Sequence, residues 1–287
     1  MQNILITGGN GQLGNELRVL SYDYPDYNFL FTDVAELDIT NSDAVENFVA
    51  KNKISCIINA AGYTAVDKAE TDTDRAFLIN GAAVGFLSLA AKKNNALLIH
   101  ISTDYVFGEN HSRPIQETEK PDPQSVYAAS KLKGEEEAML HNPKTVVIRT
   151  SWLYSEFGHN FVKTMMKFGR ERDRLNVVFD QVGTPTYAAD LAKTILDLLP
   201  AWNELTRPEL FHYSNEGVAS WYDFAVAVHR IAAIECVVSP IETKDYPLPA
   251  KRPFYSLMNK EKIKKTYGIS IPHWLDSLKL CITKLDK

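Results

Sequence analysis

The sequence predicts an α/β protein in which a doubly wound parallel sheet carries a smaller C-terminal α/β lobe. Three observations support this class: a glycine-rich turn follows the first apolar run, apolar runs then alternate with helical patterns through residue 150, and the alternation loosens beyond it. We therefore expect a dinucleotide-binding domain over residues 1–150. We expect residues 151–287 to form mainly a substrate-binding lobe, with some segments returning to the first domain.

The first element is a short apolar run at residues 3–7, which predicts a strand. Glycines follow it at the spacing G-x-x-G-x-x-G, at Gly8, Gly11 and Gly14, where a helical pattern of leucines begins. Glycines in such a turn permit a tight bend, let the backbone approach a pyrophosphate and let the helix pack closely on the strand. The pattern is typical of the turn that binds a dinucleotide in Rossmann folds.

The second predicted strand, residues 28–32, ends on Asp33, nineteen positions after the last of these glycines. An acidic residue about twenty positions past the glycines commonly accepts a hydrogen bond from the cofactor's ribose 2′-hydroxyl. Asp33 is therefore the predicted ribose ligand, although a loop aspartate that caps the next turn would give the same pattern. Asp38 and Ile39, just before a predicted helix over residues 42–51, form a second candidate.

The third predicted strand, residues 54–59, ends on three small residues, Ala60, Ala61 and Gly62. Small side chains at the end of a strand leave space for a flat ligand against the backbone. These residues are therefore predicted to line the cofactor site.

A long helix is predicted over residues 72–94, with Asn80 in its middle. We expect this side chain to be buried and hydrogen-bonded, because an unpaired buried amide is costly. The fourth predicted strand, residues 97–103, contains His100 within an apolar run, and we interpret it as a core histidine rather than a base.

The fourth strand ends on two hydroxyl residues, Ser102 and Thr103, at the sheet edge where ligands bind in open parallel sheets. Tyr127 follows, with Lys131 four positions later on a predicted helix, so the phenol and the ammonium share one helix face. A neighbouring cation stabilises a phenolate, and we expect it to lower the pKa of Tyr127 toward neutrality. This order predicts that Tyr127 donates a proton beside a nicotinamide ring, assisted by Thr103 and Lys131.

A fifth predicted strand over residues 145–149 leads to Trp152, which could either stack on a base or sugar or pack in the core. Beyond it, helices are predicted near residues 159–170, 187–199, 220–233, 259–267 and 274–285, and strands near 176–179, 210–214 and 236–239. The cations available for a substrate diphosphate are Arg170, Arg172, Arg174, Lys251 and Arg252. For the cluster at residues 170–174, a solvated helix end explains the pattern equally well.

Composition limits the partners of the chain. The 287 residues are 45% hydrophobic and 23% charged, with a formal net charge of −5. This balance is typical of a globular protein and argues against a broad nucleic-acid or anionic-membrane surface. We find no signal-peptide pattern and expect no apolar stretch long enough to cross a bilayer. The sequence thus predicts a cytoplasmic protein with no nucleic-acid or membrane partner.

Together these segments resemble the extended short-chain dehydrogenase/reductases that act on nucleotide sugars, and the resemblance runs nearly end to end. It is carried by GGNGQLG at residues 8–14, NAAGYTAVDKAE at 59–70, STDYVF at 102–107, YAASK at 127–131, RTSW at 149–152, and Arg252-Pro253 followed by Ser256. The resemblance implies reduction of the 4-keto group of dTDP-4-dehydro-L-rhamnose to dTDP-L-rhamnose, a precursor of bacterial surface polysaccharide. It implies NADH or NADPH as the cofactor and a dTDP-sugar as the substrate.

The resemblance also assigns contacts. It implies that the cofactor touches Gln12, Leu13, Asp38, Ile39, Gly62, Tyr63 and Thr64. It implies that the sugar touches Thr103, Asp104 and Trp152, and that Arg252 belongs to the sugar-nucleotide site.

Some positions depart from the family pattern. Tyr255 stands where an asparagine is common, which puts that substrate contact in doubt. Asp33 would repel a 2′-phosphate, and no lysine or arginine lies between residues 31 and 40, so we expect NADH to be preferred and NADPH tolerated. Some members bridge a homodimer through magnesium and glutamates. Glu16 matches one such ligand, but the others cannot be placed, so no metal site is predicted.

Two alternatives stay open. One is another epimerase or reductase of the same superfamily, and a plain epimerase would need the sugar to turn over within the pocket. A dehydratase is disfavoured, because Thr103 is followed by Asp104 and Tyr105 instead of two acidic residues. A non-catalytic, dinucleotide-binding regulatory subunit would also resemble this family. That alternative predicts loss of the tyrosine and lysine pair, and both residues are present.

Overall fold

The computed structural model describes residues 1–108 and 111–285 and shows strands that mostly match the predicted ones. The strands are β1 (Gln2–Thr7), β2 (Tyr27–Thr32), β3 (Ile54–Asn59), β4 (Leu97–Thr103), β5 (Thr145–Thr150), β6 (Leu153–Tyr154), β7 (Arg174–Val178), β8 (Val182–Gly183), β9 (Thr186–Tyr187), β10 (Glu209–His212), β11 (Ala219–Ser220) and β12 (Val237–Ile241). Six of them form the main sheet, in the order β10-β5-β4-β3-β1-β2. All neighbours in this sheet are parallel, which confirms the predicted fold class.

The helices cover both faces of this sheet. They are α1 (Gln12–Leu20), α2 (Ser42–Lys51), α3 (Val66–Ala69), α4 (Thr73–Phe77), α5 (Ala83–Lys93), α6 (Val126–His141), α7 (Phe161–Glu171), α8 (Ala188–Trp202), α9 (Trp221–Ile231), α10 (Glu261–Tyr267) and α11 (Trp274–Leu285). Apolar residues of α1 and α8 pack on one face, and apolar residues of α2, α5 and α6 pack on the other. Because both faces are covered, the central strands are apolar almost throughout, as expected for a doubly wound sheet.

The last strand of the main sheet comes from the second half of the chain. The segment predicted as a strand at 210–214 forms β10, which pairs with β5 from Leu210 opposite Val147 to His212 opposite Arg149. α8 from the same half packs beside α1. A segment beyond residue 150 therefore completes the sheet of the first half.

A separate core forms the second lobe. It is built from α7, α9, α11, β7 and β12, and its largest fully buried side chains are Tyr154 and Phe224. The strands here are paired only two by two, β12 with β7, β11 with β8 and β6 with β9. This arrangement matches the looser pattern seen in the sequence.

The predicted helix over residues 72–94 differs from expectation, because a π-helical turn at Leu78–Ala82 separates α4 from α5. Helix α6 lies so close that a Cβ on Gly134 would stand 2.1 Å from the carbonyl oxygen of Asn80. A π turn inserts an extra residue and changes the direction of a side chain. Here it turns Asn80 inward, toward the loop after β3.

The stretch Thr73–Lys93 is also long and apolar enough, by length and composition, to span a membrane. The expectation of no such stretch was therefore wrong. A core helix passes the same test, and this one packs its apolar residues against α2, α6 and the main sheet, with 56% of the window buried.

His100 lies in the core, as predicted. Its Nδ1 is 3.0 Å from the Nδ2 of Asn59, and Asn59 Oδ1 accepts a 2.7 Å hydrogen bond from the hydroxyl of Thr7. Burial lowers the pKa of His100 well below its usual value, so the ring is neutral. A neutral ring accepts the Asn59 amide proton and helps to align three neighbouring strands.

Candidate active site

The glycine turn after β1 is built by contacts that only glycine permits. Gly8 has a φ of +68°. A Cβ there would lie 2.6 Å from the backbone nitrogen of Ala61, and one on Gly14 would lie 2.3 Å from the carbonyl oxygen of Gly8. A Cβ on Gly11 would meet only the same oxygen, at 3.2 Å, so this residue opens onto the cleft beside the turn. The turn therefore offers backbone where a pyrophosphate would lie.

The carboxyl edge of the main sheet lines a cleft of about 850 Å³. Most residues predicted for the cofactor or the chemistry lie in it. They are Gly8, Gly11, Gln12, Leu13, Asp33, Asp38, Ile39, Ala60, Ala61, Gly62, Thr64, Ser102, Thr103, Asp104, Tyr127, Lys131 and Trp152. Their assignment to individual ligand contacts stays a prediction.

Three predicted residues do not line this cleft. Gly14 packs under Gly8 in the turn. The backbone nitrogen and carbonyl oxygen of Tyr63 are hydrogen-bonded to the side-chain amide of Asn80, and the Tyr63 hydroxyl donates to Asp72 at 3.0 Å. Arg252 lines a neighbouring cavity instead.

The two predicted acidic candidates have different partners. Asp33 Oδ2 accepts a 3.2 Å hydrogen bond from the backbone nitrogen of Asn10, so the carboxylate lies beside the glycine turn. Asp38 accepts from both the backbone nitrogen and the hydroxyl of Thr40, at 2.9 and 2.7 Å, which lowers its pKa. Asp33 Oδ1 also accepts from the backbone nitrogen of Val34 at 2.9 Å, so both carboxylates close local turns, and the choice of ribose ligand stays a prediction.

Helix α6 carries the tyrosine and lysine pair. It begins after Ser125, whose hydroxyl accepts a hydrogen bond from the backbone nitrogen of Ala128. Glu70 adds a second cap by accepting from the nitrogen of Val126 at 2.9 Å. Both caps satisfy backbone donors at the helix terminus and hold the first turn in place. Tyr127 lies in this first turn.

The pKa expected for Tyr127 was wrong in direction. Burial raises the pKa of the Tyr127 phenol to about 12, against a smaller lowering by the Thr103 hydroxyl. Asp104 raises it further, and the Lys131 Nζ donates a 2.5 Å hydrogen bond to the carbonyl oxygen of Ile101. Burial in turn lowers the pKa of Lys131 to about 8, with Glu135 opposing the shift. The phenol is therefore protonated at neutral pH.

Asp104, a predicted sugar contact, is buried directly after Thr103. Burial raises the pKa of its carboxyl to about 7, although hydrogen bonds from Ser256 and Thr103 lower it in part. The late segment of the chain thus meets the end of β4 through Ser256. Tyr105 packs edge-on against Tyr127, with ring centroids 5.7 Å apart.

Some residues that support the site were missed. Glu135 is buried and receives two hydrogen bonds from Arg149, at 2.8 and 2.6 Å, and one from Ser102 at 2.5 Å. Ser102, predicted to hold the cofactor, therefore gives its hydroxyl proton to Glu135. The signal was present, because Glu135 continues the four-residue spacing of Tyr127 and Lys131 along one helix face.

Asn80 fulfils the expectation of a buried, hydrogen-bonded amide. Its Oδ1 accepts from the nitrogen of Tyr63 at 2.8 Å, and its Nδ2 donates to the carbonyl oxygen of Tyr63 and to the Ser130 hydroxyl. It thereby fixes the loop after β3 against α6. Sequence indicated its burial but not these partners.

Trp152 stacks on Trp221, with ring centroids 3.7 Å apart and planes 11° from parallel. Its backbone has a φ of +49°, which is strained for a tryptophan. Both rings line the main cleft, and Trp221 also lines the neighbouring cavity. Trp221 was not predicted, because nothing in its local sequence separates it from a core residue.

The neighbouring cavity, of about 990 Å³, lies in the second lobe. Four of the predicted cations line it, namely Arg172, Arg174, Lys251 and Arg252, whereas Arg170 does not. Aromatic residues share its wall, including Phe168, whose ring lies 4.4 Å from the guanidinium of Arg172. The cavity therefore combines positive charge with flat apolar surface, which suits a nucleotide.

The surroundings of Glu16 do not suit a magnesium ligand. This carboxyl is 1% exposed, and burial together with Glu156 raises its pKa, which favours the neutral form. The Lys284 ammonium, 2.8 Å from Glu156, already supplies positive charge there. Within residues 1–108 and 111–285, no three acidic, histidine or cysteine side chains are grouped as a metal would require.

Known proteins and a protein-family model match this chain over nearly its whole length. A family model described as RmlD substrate binding domain matches residues 1–287. A protein of Aggregatibacter actinomycetemcomitans named dTDP-4-dehydrorhamnose reductase is 40% identical, over 97% of this chain and 98% of that protein.

Two solved structures are also similar. That of a dTDP-4-dehydrorhamnose reductase from Clostridium acetobutylicum is 42% identical and has a TM-score of 0.95, with complete coverage of both chains. That of a Bacillus anthracis dTDP-4-dehydrorhamnose reductase in complex with NADP is 35% identical and has a TM-score of 0.94, covering 99% of this chain and 100% of that one.

Proposed function

This chain belongs to the RmlD substrate binding domain family, and from that premise we propose that it is an NAD(P)H-dependent oxidoreductase that reduces the 4-keto group of dTDP-4-dehydro-L-rhamnose to dTDP-L-rhamnose. This reaction serves nucleotide-sugar and surface polysaccharide biosynthesis. The observation that carries the proposal is one cleft that is lined both by the glycine turn and by Thr103, Tyr127 and Lys131.

The residues of the cleft fit a nicotinamide dinucleotide. The bare backbone at Gly8 and Gly11 leaves room for the pyrophosphate, Asp33 can accept from the adenosine ribose, and Lys131 can hold the nicotinamide ribose. When bound, the cofactor supplies the hydride that is added to the carbonyl carbon. The protein supplies position and a proton.

Tyr127 is the proposed proton donor. Because its pKa is raised to about 12, the phenol carries its proton throughout the neutral range and can give it to the oxygen on which negative charge develops. The Thr103 hydroxyl can donate a hydrogen bond to the same oxygen. Lys131, four residues along the same helix, would supply the positive charge that favours the phenolate left behind.

The sugar nucleotide is proposed to lie across the two cavities. Asp104 and Trp152 line the cleft at the sugar end, and Arg252 lines the neighbouring cavity with the other cations. The diphosphate would meet the cations, and the thymine would lie on the aromatic wall. A dTDP-sugar is thus the expected partner.

A homodimer, a cytoplasmic location and the boundary at residue 150 stay predictions. The cytoplasm is favoured because reduced nicotinamide cofactors and nucleotide sugars are used there. The boundary is favoured because the chain enters the second lobe directly after β5, although β10 returns to the main sheet.

The decisive experiment mixes the protein with NADH or NADPH and a panel of dTDP-, UDP- and GDP-keto-sugars and follows absorbance of the reduced nicotinamide. We expect loss of absorbance that depends on the dTDP-4-keto-sugar. Binding of the cofactor without consumption by any keto-sugar would instead indicate the regulatory subunit. Interconversion of sugar epimers without net oxidation of the cofactor would indicate an epimerase.

A further inference from the structure

Arg252 is held by a carboxylate from the other half of the chain. Its Nη1 donates to Asp67 Oδ1 at 3.0 Å and its Nη2 donates to Asp67 Oδ2 at 2.7 Å, across 185 residues of sequence. Asp67 Oδ1 also accepts from the backbone nitrogen of Ala250 at 3.2 Å. The pair is partly shielded, with the arginine side chain 17% exposed and the aspartate 37% exposed.

The hydrogen bonds of Arg252 occupy one edge of its guanidinium and leave another edge free. A guanidinium has five N–H donors in a fixed plane. Nη1 gives one proton to Asp67 and the other to the carbonyl oxygen of Ala250 at 2.8 Å, and Nη2 gives one proton to Asp67. One N–H of Nη2 and that of Nε remain, and no acceptor among residues 1–108 and 111–285 receives them. These two donors are parallel, which is the geometry that binds two oxygens of one anion.

The position of Arg252 suits an anion that belongs to the substrate. The residue lines the cavity of the second lobe beside Lys251. On its other side it is close enough to Tyr105 to oppose the rise in that residue's pKa, and Tyr105 packs against Tyr127. Arg252 therefore neighbours both the nucleotide cavity and, through Tyr105, the proposed proton donor, as expected of a residue that binds the diphosphate joining nucleoside to sugar.

We propose that Asp67 is a positioning residue, which holds the Nη1 and Nη2 edge of Arg252 so that the Nε and Nη2 edge receives a phosphate of the substrate's diphosphate. This inference rests on the proposed function. The ion pair has no net charge, so Asp67 contributes to substrate binding by orienting Arg252. Because the two free N–H groups of Arg252 are already oriented, less binding free energy is lost in ordering them.

Asp67→Asn tests the proposal. An amide accepts from only one of the two guanidinium nitrogens and turns a donor toward the other, so Arg252 loses its fixed orientation. We expect the KM for the dTDP-keto-sugar to rise about tenfold, which is within the range for one lost charge-assisted hydrogen bond. We expect kcat and the Kd for NADH to change little. Glu119→Gln, in another arginine–carboxylate pair with Arg113 at 2.9 Å, is the matched control and should leave both constants unchanged.

Calorimetric binding of dTDP and of thymidine separates positioning from a structural role. Asp67→Asn should weaken dTDP about tenfold and leave thymidine unchanged, because thymidine has no phosphate for Arg252. Equal weakening of both ligands, or dTDP bound as tightly as by the unaltered protein, would overturn the inference.

Arg252→Lys provides a second route that does not depend on how Asp67→Asn folds. Lysine cannot bind two oxygens in parallel, so the affinity for dTDP should fall. Adding Asp67→Asn to this variant should lower the affinity for dTDP little further. Additive losses would contradict the proposal. If the unaltered protein reduces the keto-sugar but these variants bind dTDP normally, only this inference fails. If the unaltered protein neither binds dTDP nor reduces the keto-sugar, the proposed function fails with it.

Discussion

The Nζ of Lys131 lies 2.5 Å from the carbonyl oxygen of Ile101, so helix α6 and strand β4 are joined at the cleft. This contact sets the distance between the two elements that carry Tyr127 and Thr103. It also gives the Lys131 ammonium a hydrogen-bond acceptor in the backbone of β4. Burial therefore remains the main influence on the pKa of the Tyr127 phenol.

Tyr127→Phe should abolish most of the turnover and spare the cofactor site. The substitution removes only the hydroxyl, and positioned acid catalysis is typically worth about 10²–10⁴ in rate, so kcat should fall by that factor. The Kd for NADH, measured by fluorescence titration, should stay within about twofold of the original value. Unchanged turnover would mean that the proton comes from another group.

Lys131→Met should inactivate the enzyme and yet stabilise the fold at neutral pH. The pKa of Lys131 is lowered from 10.5 to about 8, so below pH 8 the folded protein bears the full cost of a buried ammonium. Between pH 8 and 10.5 the unfolded chain binds the proton that the folded protein has lost, and the stability of the unaltered protein therefore rises with pH relative to the variant.

The variant's advantage should thus be about 1–3 kcal/mol at pH 7 and should shrink toward pH 10. Urea unfolding at both pH values measures it. At each pH, the free energy of unfolding of the variant is compared with that of the original protein. If the variant's advantage were smaller at pH 7 than at pH 10, the lowered pKa of Lys131 would be contradicted.

Arg149→Met should be strongly destabilising, because it leaves the carboxylate of Glu135 buried without its partner. Both side chains are nearly inaccessible, at 3% and 1% exposed. Removing one member of such a pair typically costs about 3–5 kcal/mol, measurable as a loss in the free energy of unfolding. The double variant Arg149→Met with Glu135→Gln should recover much of that loss, since no charge is left unpaired. If the double variant did not regain this free energy of unfolding, the loss would come from side-chain packing and not from the unpaired charge.

Asp33→Asn should shift the cofactor preference toward NADPH. The carboxylate beside the glycine turn repels a 2′-phosphate, and one such charge interaction near the protein surface is worth about tenfold in binding. The ratio of kcat/KM for NADPH to that for NADH should rise by about this factor. Asp38→Asn should shift the ratio less, because the Asp38 carboxylate is bound by Thr40 of its own turn, whereas Asp33 contacts the glycine turn through Asn10.

Much of the fold followed from local sequence. The glycine turn, the strands of the first half and the helix Ser42–Lys51 were predictable, because apolar periodicity and glycine spacing act over short stretches of chain. The shared face of Tyr127 and Lys131 followed from the geometry of a helix alone. The return of β10 to the main sheet and the π-helical turn at Leu78–Ala82 did not follow, because each depends on a packing partner far away in sequence.

By itself, the sequence determined the doubly wound sheet, the dinucleotide turn and the residues with the right chemistry for a reductase. Only the tertiary structure decided how those residues are partnered: Ser102 with Glu135, Asp67 with Arg252, and Trp152 with Trp221. It also reversed the expected direction of the Tyr127 pKa. The physical reason is that burial and long-range contact set protonation and orientation, and neither is encoded in the spacing of residues along one helix or strand.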